Sequence, residues 1–190
     1  TRMTSRRRAP QERAVQRHRA ILSAARDLVV TAGMGEVTHR RVADAAHVPS
    51  AAVRYYFSSR ETLLLACLDD LAADRAHEAQ QLRAGASPDL SGEEVGRRVV
   101  RTIWGPDDSD TALIGAVGAA LDGVRESPAL SARMRELRQT MDDDVRGLLE
   151  RSGRRVRDLG LVTAVVNGSI VDSAAEGHPD VARLAALAVT

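Results

Sequence analysis

The sequence predicts an all-α protein of about nine helices, with a three-helix unit in front of a larger helical bundle. Only four of the 190 residues are aromatic, whereas alanine occurs 31 times. Alanine, leucine and arginine favour helices, and a sheet protein would need more β-branched and aromatic residues. Apolar residues recur at spacings of three and four, and no long stretch alternates with a period of two. A chain of this length forms one large domain or two small ones.

The front unit begins after residues 1–10, which are expected to be a disordered basic tail. Its predicted helices cover residues 11–31, 38–46 and 50–57. An apolar stripe runs along the first of these helices, and Gly33 and Gly35 follow its end. Thr38 is the expected N-cap of the second helix. The third helix is too short to be stable without packing against its neighbours.

A long fourth helix leads into the bundle. It is predicted over residues 59–82 and opens with a capping box, in which Ser58 is the N-cap and Glu61 stands three residues later. Glycine and proline residues separate five further helical stretches. These lie near residues 92–104, 107–125, 127–151, 154–175 and 179–189. The predicted domains after the tail are therefore residues 11–58 and residues 59–190.

Charge is distributed unevenly along the chain. Residues 1–60 hold 12 arginines and 4 acidic residues, whereas residues 61–190 hold 15 arginines and 22 acidic residues. There is no lysine. A basic first third followed by an acidic remainder indicates a front unit that binds a polyanion such as nucleic acid, and a second part with another task.

Several other classes of protein are disfavoured. The longest apolar run, near residues 111–121, is far shorter than the roughly 20 residues that cross a membrane, so we expect no membrane partner. The single cysteine, Cys67, cannot form an internal disulfide, which favours a cytoplasmic location, and we expect it to be a core residue. No metal-spaced cluster, nucleophile elbow or phosphate loop occurs. We therefore expect no enzyme activity, no catalytic residues, no metal and no cofactor.

Residues 38–57 have the pattern of a helix-turn-helix. Ala43 is small enough for two short helices to touch at a steep angle, and His47 falls at the tight turn between them. The positions expected to face inward are Val42, Ala46, Val48, Val53 and Tyr56. The positions expected to face outward on the second helix are Ser50, Ala51, Arg54 and Tyr55. Small side chains allow close approach to the major groove, arginine binds guanine or phosphate, and tyrosine hydroxyls donate to phosphate.

This part of the chain also resembles a known family. The stretches that carry the resemblance are Gly35-Glu36-Val37-Thr38, Val42-Ala43-Asp44-Ala45-Ala46-His47-Val48, and Val53-Arg54-Tyr55-Tyr56-Phe57-Ser58-Ser59-Arg60-Glu61-Thr62-Leu63. They are similar to the N-terminal domain of the tetracycline-repressor (TetR) family. The similarity covers about residues 19–68, and the remainder matches only in layout. It implies a homodimeric repressor that binds a palindromic operator through two recognition helices and is released by a small molecule.

The resemblance implies which residues contact DNA. The positions on the helix before the turn, where side chains reach the backbone or a base, carry Thr38, His39 and Arg40. The base-facing positions of the recognition helix carry Ser50, Ala51 and Ala52. The phosphate-binding positions carry Tyr55, Tyr56 and Arg60. On this basis, replacing Arg60 by alanine should weaken binding to every sequence and lower the salt dependence of binding.

Three positions depart from the pattern of the family. His47 replaces the usual turn glycine, at a small cost because histidine adopts positive φ more often than most residues. Pro49 replaces the usual serine N-cap, which removes a cap although proline is tolerated at a helix start. Arg54 replaces a frequent tyrosine, so this position either holds the phosphate backbone or adds base readout.

The bundle is expected to carry the dimer contact and the ligand site. The penultimate helix is apolar nearly all round, which is typical of a helix covered by its own bundle and by a second subunit, or of the central helix of a monomer. We expect dimerisation through the last two long helices. The candidate pocket residues are Trp104, Met134, Met141, Asn167 and His77.

The effector class is limited by composition. Residues 61–190 contain one aromatic residue, so the pocket should be mainly aliphatic, and we expect an apolar or aliphatic effector rather than a flat cationic drug. Two alternatives stay open. One is a DNA-binding repressor without an effector, and the other is a helical enzyme whose front unit only resembles a DNA-binding domain.

Overall fold

The computed structural model describes residues 5–178 and 180–187, with side chains from residue 12 onward. Within these residues, nine α-helices and one short 3₁₀ turn follow one another along the chain. They are α1 (Ser5–Ala32), the 3₁₀ turn (Met34–Glu36), α2 (His39–Ala45), α3 (Ser50–Tyr56), α4 (Arg60–Ala84), α5 (Gly92–Trp104), α6 (Asp110–Glu126), α7 (Pro128–Arg151), α8 (Leu159–Glu176) and α9 (Val181–Leu187). The predicted all-α fold is confirmed. None of these helices is both long and apolar enough to cross a membrane.

The two ends of the chain differ from the expected boundaries. Residues 5–10, for which we expected disorder, are the first residues of α1, whereas residues 1–4 lie outside the described part of the chain. Arginine and alanine, which fill most of these positions, are strong helix formers, so the helix extends through them. Helix α9 is predicted over residues 179–189, and residues 179 and 188–190 also lie outside the described part.

Two helix starts were predicted with different success. Thr38 caps α2 as expected, because its hydroxyl accepts a bond of 3.2 Å from the backbone N–H of Arg41. The capping box of α4 is present but shifted by one residue. Ser59 is the N-cap, and its hydroxyl accepts from the N–H of Thr62 at 3.1 Å while the hydroxyl of Thr62 accepts from the N–H of Ser59 at 3.1 Å. The prediction of Ser58 and Glu61 was wrong because either of two adjacent serines can cap a helix, and threonine here closes the box in place of glutamate.

The helices pack around two groups of buried residues. The N-terminal core joins α1 to α3 with the first turns of α4 and with one residue each of α6 and α7. It consists of Ile21, Ala24, Ala25, Val29, Met34, Val37, Val42, Ala43, Val53, Phe57, Leu63, Leu64, Cys67, Ala119 and Leu130. The C-terminal core is built from α5 to α9. It consists of Ala86, Val95, Val99, Val100, Ile103, Leu113, Val117, Met141, Val145, Leu148, Leu149, Leu159, Val166, Ile170, Val181, Ala185 and Ala186.

Helix α6 contributes to both cores. Ala119 belongs to the N-terminal core and Val117 to the C-terminal core. Gly115 lies directly against α1, and a Cβ atom added there would be 2.1 Å from the carbonyl oxygen of Val30. Gly118, three residues later, has open space at its Cβ position. Only a residue without a side chain allows α6 to approach α1 this closely at position 115.

Candidate nucleic-acid interface

Helices α2 and α3 are joined by a left-handed turn. His47 has φ of 52°, in the region that histidine reaches more readily than most residues. Pro49 is the N-cap of α3 and offers no side-chain bond. Ala43 is buried where the helices meet, and Val42 and Val53 are fully buried beside it. The helix-turn-helix geometry that the sequence predicts is therefore present, with histidine in place of the turn glycine.

The three adjacent aromatic residues have three different environments. Tyr55 is 83% exposed, Tyr56 is half-buried and Phe57 is buried. The ring of His18 on α1 packs against Tyr56 and Phe57, with centroid distances of 5.4 Å and 5.3 Å. The hydroxyl of Tyr56 donates to the carbonyl oxygen of Ala14 at 3.2 Å. The exposure of Tyr55 and the partial burial of Tyr56 agree with the prediction, but the Tyr56 hydroxyl donates a hydrogen bond to α1.

His39 is also engaged within the fold. Its Nε2 lies 2.8 Å from the carbonyl oxygen of Phe57 and donates a hydrogen bond to it. Since His39 begins α2 and Phe57 follows α3, this bond ties the start of one helix to the end of the other. Thr38, immediately before it, uses its hydroxyl as the cap of α2. The structure therefore gives both residues a role in holding the helix-turn-helix together.

Arg60 has the largest number of internal partners among the predicted DNA contacts. Its Nε donates to the carbonyl oxygen of Val37 at 2.8 Å, and its Nη2 donates to that of Met34 at 2.5 Å. Its Nη1 forms an ion pair with Glu126 at the end of α6. This arrangement could not be predicted from the sequence, because Glu126 is 66 residues away. Arg60 thus connects α4, the 3₁₀ turn and α6.

The remaining predicted contacts are all exposed to solvent. We call this set the open face, and it consists of Arg40, Ser50, Ala51, Arg54 and Tyr55. On α3 all of its members are exposed, whereas Val53 is buried. Within the described residues, neither Arg40 nor Arg54 forms an ion pair or a side-chain hydrogen bond, and no member of the open face is acidic. Two free cations beside small side chains suit a phosphate-lined groove.

Two of the five candidate pocket residues come together in the bundle. Trp104 and Asn167 line a cavity of about 300 Å³ between α5, α6 and α8, with Val117, Leu121, Val171 and Asp172 also on its wall. Trp104 Nε1 and Asn167 Oδ1 are buried, and neither has a hydrogen-bond partner among the described residues.

The other three candidates lie elsewhere. The sulfur of Met134 packs against Gly123 of α6, and Met141 is part of the C-terminal core. His77 is exposed and bonded to the side chain of Gln81. Across the part of the chain that the structure describes, no group of three His, Cys, Asp or Glu residues is placed to hold a metal ion.

Comparisons with known proteins agree with this geometry. Residues 21–67 match the model of a family described as bacterial regulatory proteins, tetR family. No curated protein matches the sequence. Solved structures give the fold of nearly the whole chain. A TetR transcription regulator from Haloarcula marismortui ATCC 43049 is 17% identical with a TM-score of 0.69, covering 92% of this chain and 95% of that chain.

Two further solved structures have the same fold. A member of the TetR family from Streptomyces coelicolor A3 is 19% identical with a TM-score of 0.65, covering 92% of this chain and 98% of that chain. The multidrug binding protein EbrR, in complex with imidazole, is 19% identical with a TM-score of 0.62, covering 92% of this chain and 95% of that chain.

Proposed function

Residues 21–67 belong to the tetR family of bacterial regulatory proteins, and from this premise we propose that the chain is a transcriptional repressor controlled by a small molecule. The family match of residues 21–67 and the shared fold support a DNA-binding transcriptional regulator. Proteins of this family bind DNA rather than catalyse reactions, which removes the helical-enzyme alternative. In the proposed mechanism a homodimer binds a palindromic operator and leaves it when an effector binds the bundle.

The open face is the observation that carries the DNA-binding part of the proposal. Ser50 and Ala51 have small side chains that allow the backbone of α3 to approach base edges. Among the described residues, Arg54 forms no ion pair or side-chain hydrogen bond that would have to break when DNA binds. Arg40 and Tyr55 flank this area with a cation and an exposed hydroxyl. Phosphate contacts from such groups fix the protein on the duplex, while contacts to base edges select the sequence.

Homodimerisation is proposed through α8 and α9, as expected for the last helices of the bundle. Helix α8 exposes Leu161 at 63%, and α9 exposes Leu184 at 36%. Gly168, on the same helix as Leu161, has open space at its Cβ position, which permits the close approach of a second helix. Two copies related by a twofold axis would place their recognition helices in major grooves roughly 34 Å apart, one turn of DNA.

Release by an effector is supported by the position of α6. Val117 and Leu121 lie on the cavity wall, whereas Gly115 and Glu126 on the other side of α6 contact α1 and Arg60. A ligand that fills the cavity therefore presses on a helix that holds the DNA-binding unit in place. The similar fold of EbrR, a multidrug binding protein with structures in complex with proflavin and ethidium, supports a small-molecule site in the bundle.

The test of DNA binding uses a matched pair of arginine variants. We expect the wild-type chain to bind DNA upstream of its own gene with sequence preference that persists at moderate salt, measured by fluorescence anisotropy. Arg54→Ala should weaken this binding and shift the preferred sequence. Arg146→Ala removes an exposed arginine of α7, far along the chain from the open face, and should change neither. Equal effects of the two substitutions would mean that only net charge matters, and the proposal would be wrong.

The second candidate function is a repressor without an effector. A release experiment distinguishes it from a repressor that is controlled by an effector. The bound complex is titrated with small molecules of different class while anisotropy is followed. A molecule that releases the DNA and stabilises the free chain against heating supports effector control. Failure of every molecule to do so, with DNA binding intact, favours the effector-independent repressor.

A further inference from the structure

The first turns of α1 extend beyond the N-terminal core. Helix α1 begins at Ser5, but the first of its residues in that core is Ile21. Every residue from Glu12 to Arg17 is exposed, including Val15 at 47%. We call residues 5–17 the α1 arm. At a rise of 1.5 Å per residue the arm is roughly 18 Å long.

The α1 arm is held next to the open face. The hydroxyl of Tyr56 donates to the carbonyl oxygen of Ala14 at 3.2 Å, and the ring of His18 packs against the ring of Tyr56. The ring of Tyr56 also lies 5.2 Å from that of Tyr55, which belongs to the open face. These contacts join the arm to the C-terminal end of α3. A molecule that covers Tyr55 is therefore close to the arm as well.

The α1 arm is strongly basic. Its residues include five arginines and one acidic residue. Among the described residues, Arg13 and Arg17 form no ion pair and no side-chain hydrogen bond. Arg26, further along the same helix, is instead paired with Asp70 and Asp74 of α4. The charge of α1 is thus neutralised where the helix meets α4, and it is not neutralised at Arg13 and Arg17.

The pattern of the arm favours a polyanion over a membrane surface. Arg13 and Arg17 are four residues apart, so they lie on the same side of the helix, where two like charges repel each other. A row of phosphates would remove this repulsion. Val15 is the only large apolar residue of the arm, so the arm lacks the apolar face with which a helix enters a lipid surface.

We propose that the α1 arm binds phosphates of the DNA backbone beside the base pairs that α3 contacts. The proposal rests on the DNA binding proposed above and adds a second contact surface to it. Arg13 and Arg17 carry the contact, and three arginines at positions 6–8 continue the charge towards the start of α1. Phosphates are the same in every sequence, so this contact raises affinity for all DNA and does not select a site. The arm spans about five base pairs, at 3.4 Å per base pair.

The test compares two double variants that lose the same charge. One combines Arg13→Gln and Arg17→Gln in the arm. The matched control combines Arg135→Gln and Arg146→Gln, which are exposed positions of α7. Binding to the DNA upstream of the chain's own gene and to a random duplex of equal length is measured by fluorescence anisotropy over a range of salt concentrations.

We expect the arm variant to weaken binding to both duplexes by a similar factor, roughly tenfold or more at about 0.1 M salt. The slope of log K against log salt should fall by about two for each bound chain, because each arginine contributes about one unit. The control should change neither value. The free energy of unfolding in urea should be the same in all three proteins, since the replaced side chains are exposed.

Phosphate ethylation locates the contact on the DNA. Some phosphates should weaken binding of the wild-type chain when ethylated but have no effect on the arm variant. These are the phosphates that the arm contacts. They should lie next to the base pairs at which Arg54→Ala changes the preferred sequence.

Four results would overturn the proposal. Equal effects of the two double variants would mean that only net charge acts, and an unchanged salt slope would mean that the arm contacts no phosphate. Lower stability of the arm variant would make Arg13 and Arg17 structural. Unchanged DNA binding with weaker binding to vesicles of anionic lipid would assign the arm to a membrane.

The random duplex separates this proposal from the proposed function. If the wild-type chain shows no sequence preference but the arm variant still binds the random duplex more weakly than the control does, the regulator function fails and the arm contact stands. Sequence preference in the wild-type chain, with no effect of the arm variant on either duplex, would contradict the arm contact alone.

Discussion

The N-terminal and C-terminal cores differ in how completely their polar groups are paired. Around the N-terminal core, His39, Tyr56 and Arg60 all bond to backbone carbonyl oxygens. In the part of the chain that the structure describes, the buried side-chain atoms without partners all belong to the bundle: Arg101 Nε, Thr102 Oγ1, Trp104 Nε1 and Asn167 Oδ1. Each such atom costs about 1–3 kcal/mol. Within the described residues, the buried side-chain polar atoms around the N-terminal core are therefore all paired, whereas four of those in the bundle are not.

Each region contains one native reporter of this difference. Cys67 is the single cysteine of the sequence and lies in the N-terminal core, whereas Trp104 is the single tryptophan and lines the cavity. Thiol chemistry and fluorescence therefore follow the two regions separately in the same unmodified chain.

The largest expected effect is the protection of the Cys67 thiol. Burial, with a smaller contribution from Asp70, raises the pKa of Cys67 from 9.0 to about 12. The thiolate fraction at pH 8 is then about a thousandfold lower than in the unfolded chain, so alkylation by iodoacetamide, followed by mass spectrometry, should be slower by at least that factor. Labelling of the folded chain as fast as in urea would mean that the N-terminal core is open.

The same raised pKa gives a direction for stability against pH. Because the folded-state pKa lies above the unfolded one, the neutral buried thiol contributes its full stability below about pH 9. That contribution is lost progressively as the pH rises from about 9 towards 12. Cys67→Ala should remove this part of the pH dependence, measured by urea denaturation across the same range.

The next effect concerns the contact between α6 and α1. Gly115→Ala should lower the free energy of unfolding by about 3 kcal/mol, because the added Cβ meets the backbone of Val30 and neither helix can yield locally. In this variant we expect the unfolding midpoint followed by Cys67 labelling to differ from the one followed by Trp104 fluorescence. The reason is that the contact between α6 and α1, which couples the two cores, is weakened.

Gly118→Ala is the matched control on the same helix. Its Cβ position is open, so alanine should raise the free energy of unfolding by about 0.5–1 kcal/mol through its higher helix propensity. A similar loss in both variants would show that α6 needs glycine for its own conformation rather than for its approach to α1.

Arg60→Ala should have a smaller effect on stability and a diagnostic effect on DNA binding. Loss of its bonds to Val37 and Met34 should lower the free energy of unfolding by about 1–2 kcal/mol, whereas Arg54→Ala on the open face should leave it unchanged. Since Arg60 is engaged within the fold, we expect weaker DNA binding with an unchanged salt slope. A slope lowered by about one unit would mean that Arg60 leaves Glu126 and contacts phosphate, as the family resemblance implies.

The sequence could predict features that depend on neighbouring residues. The cap at Thr38, the left-handed turn at His47 and the burial of Val53 follow from local rules of helix ends and from the spacing of apolar residues. The choice between Ser58 and Ser59 as the cap of α4 could not be made, because adjacent serines offer the same chemistry.

Features made by distant residues could not be predicted. The Arg60–Glu126 pair and the meeting of Trp104 with Asn167 depend on how whole helices pack, and helical spacing gives no information on which helices become neighbours. Met134 and Met141 fit the composition of an apolar pocket as well as Trp104 does. Only the packing of Met134 against Gly123 and the burial of Met141 remove them from the cavity.

The smallest expected effect comes from comparing Tyr55 of the open face with its neighbour Tyr56, whose hydroxyl is hydrogen-bonded within the fold. Tyr55→Phe removes one hydroxyl from a residue that is 83% exposed, so it should leave the free energy of unfolding unchanged and weaken DNA binding about two- to fivefold. Tyr56→Phe removes the bond to Ala14, so it should lower stability by about 0.5–1 kcal/mol. Urea denaturation and fluorescence anisotropy on both variants give the four values. Tyr56→Phe could instead weaken DNA binding and leave stability unchanged. That result would mean that the Tyr56 hydroxyl leaves the carbonyl oxygen of Ala14 and donates to a phosphate when DNA binds. The hydrogen bonds of the N-terminal unit would then rearrange on DNA binding.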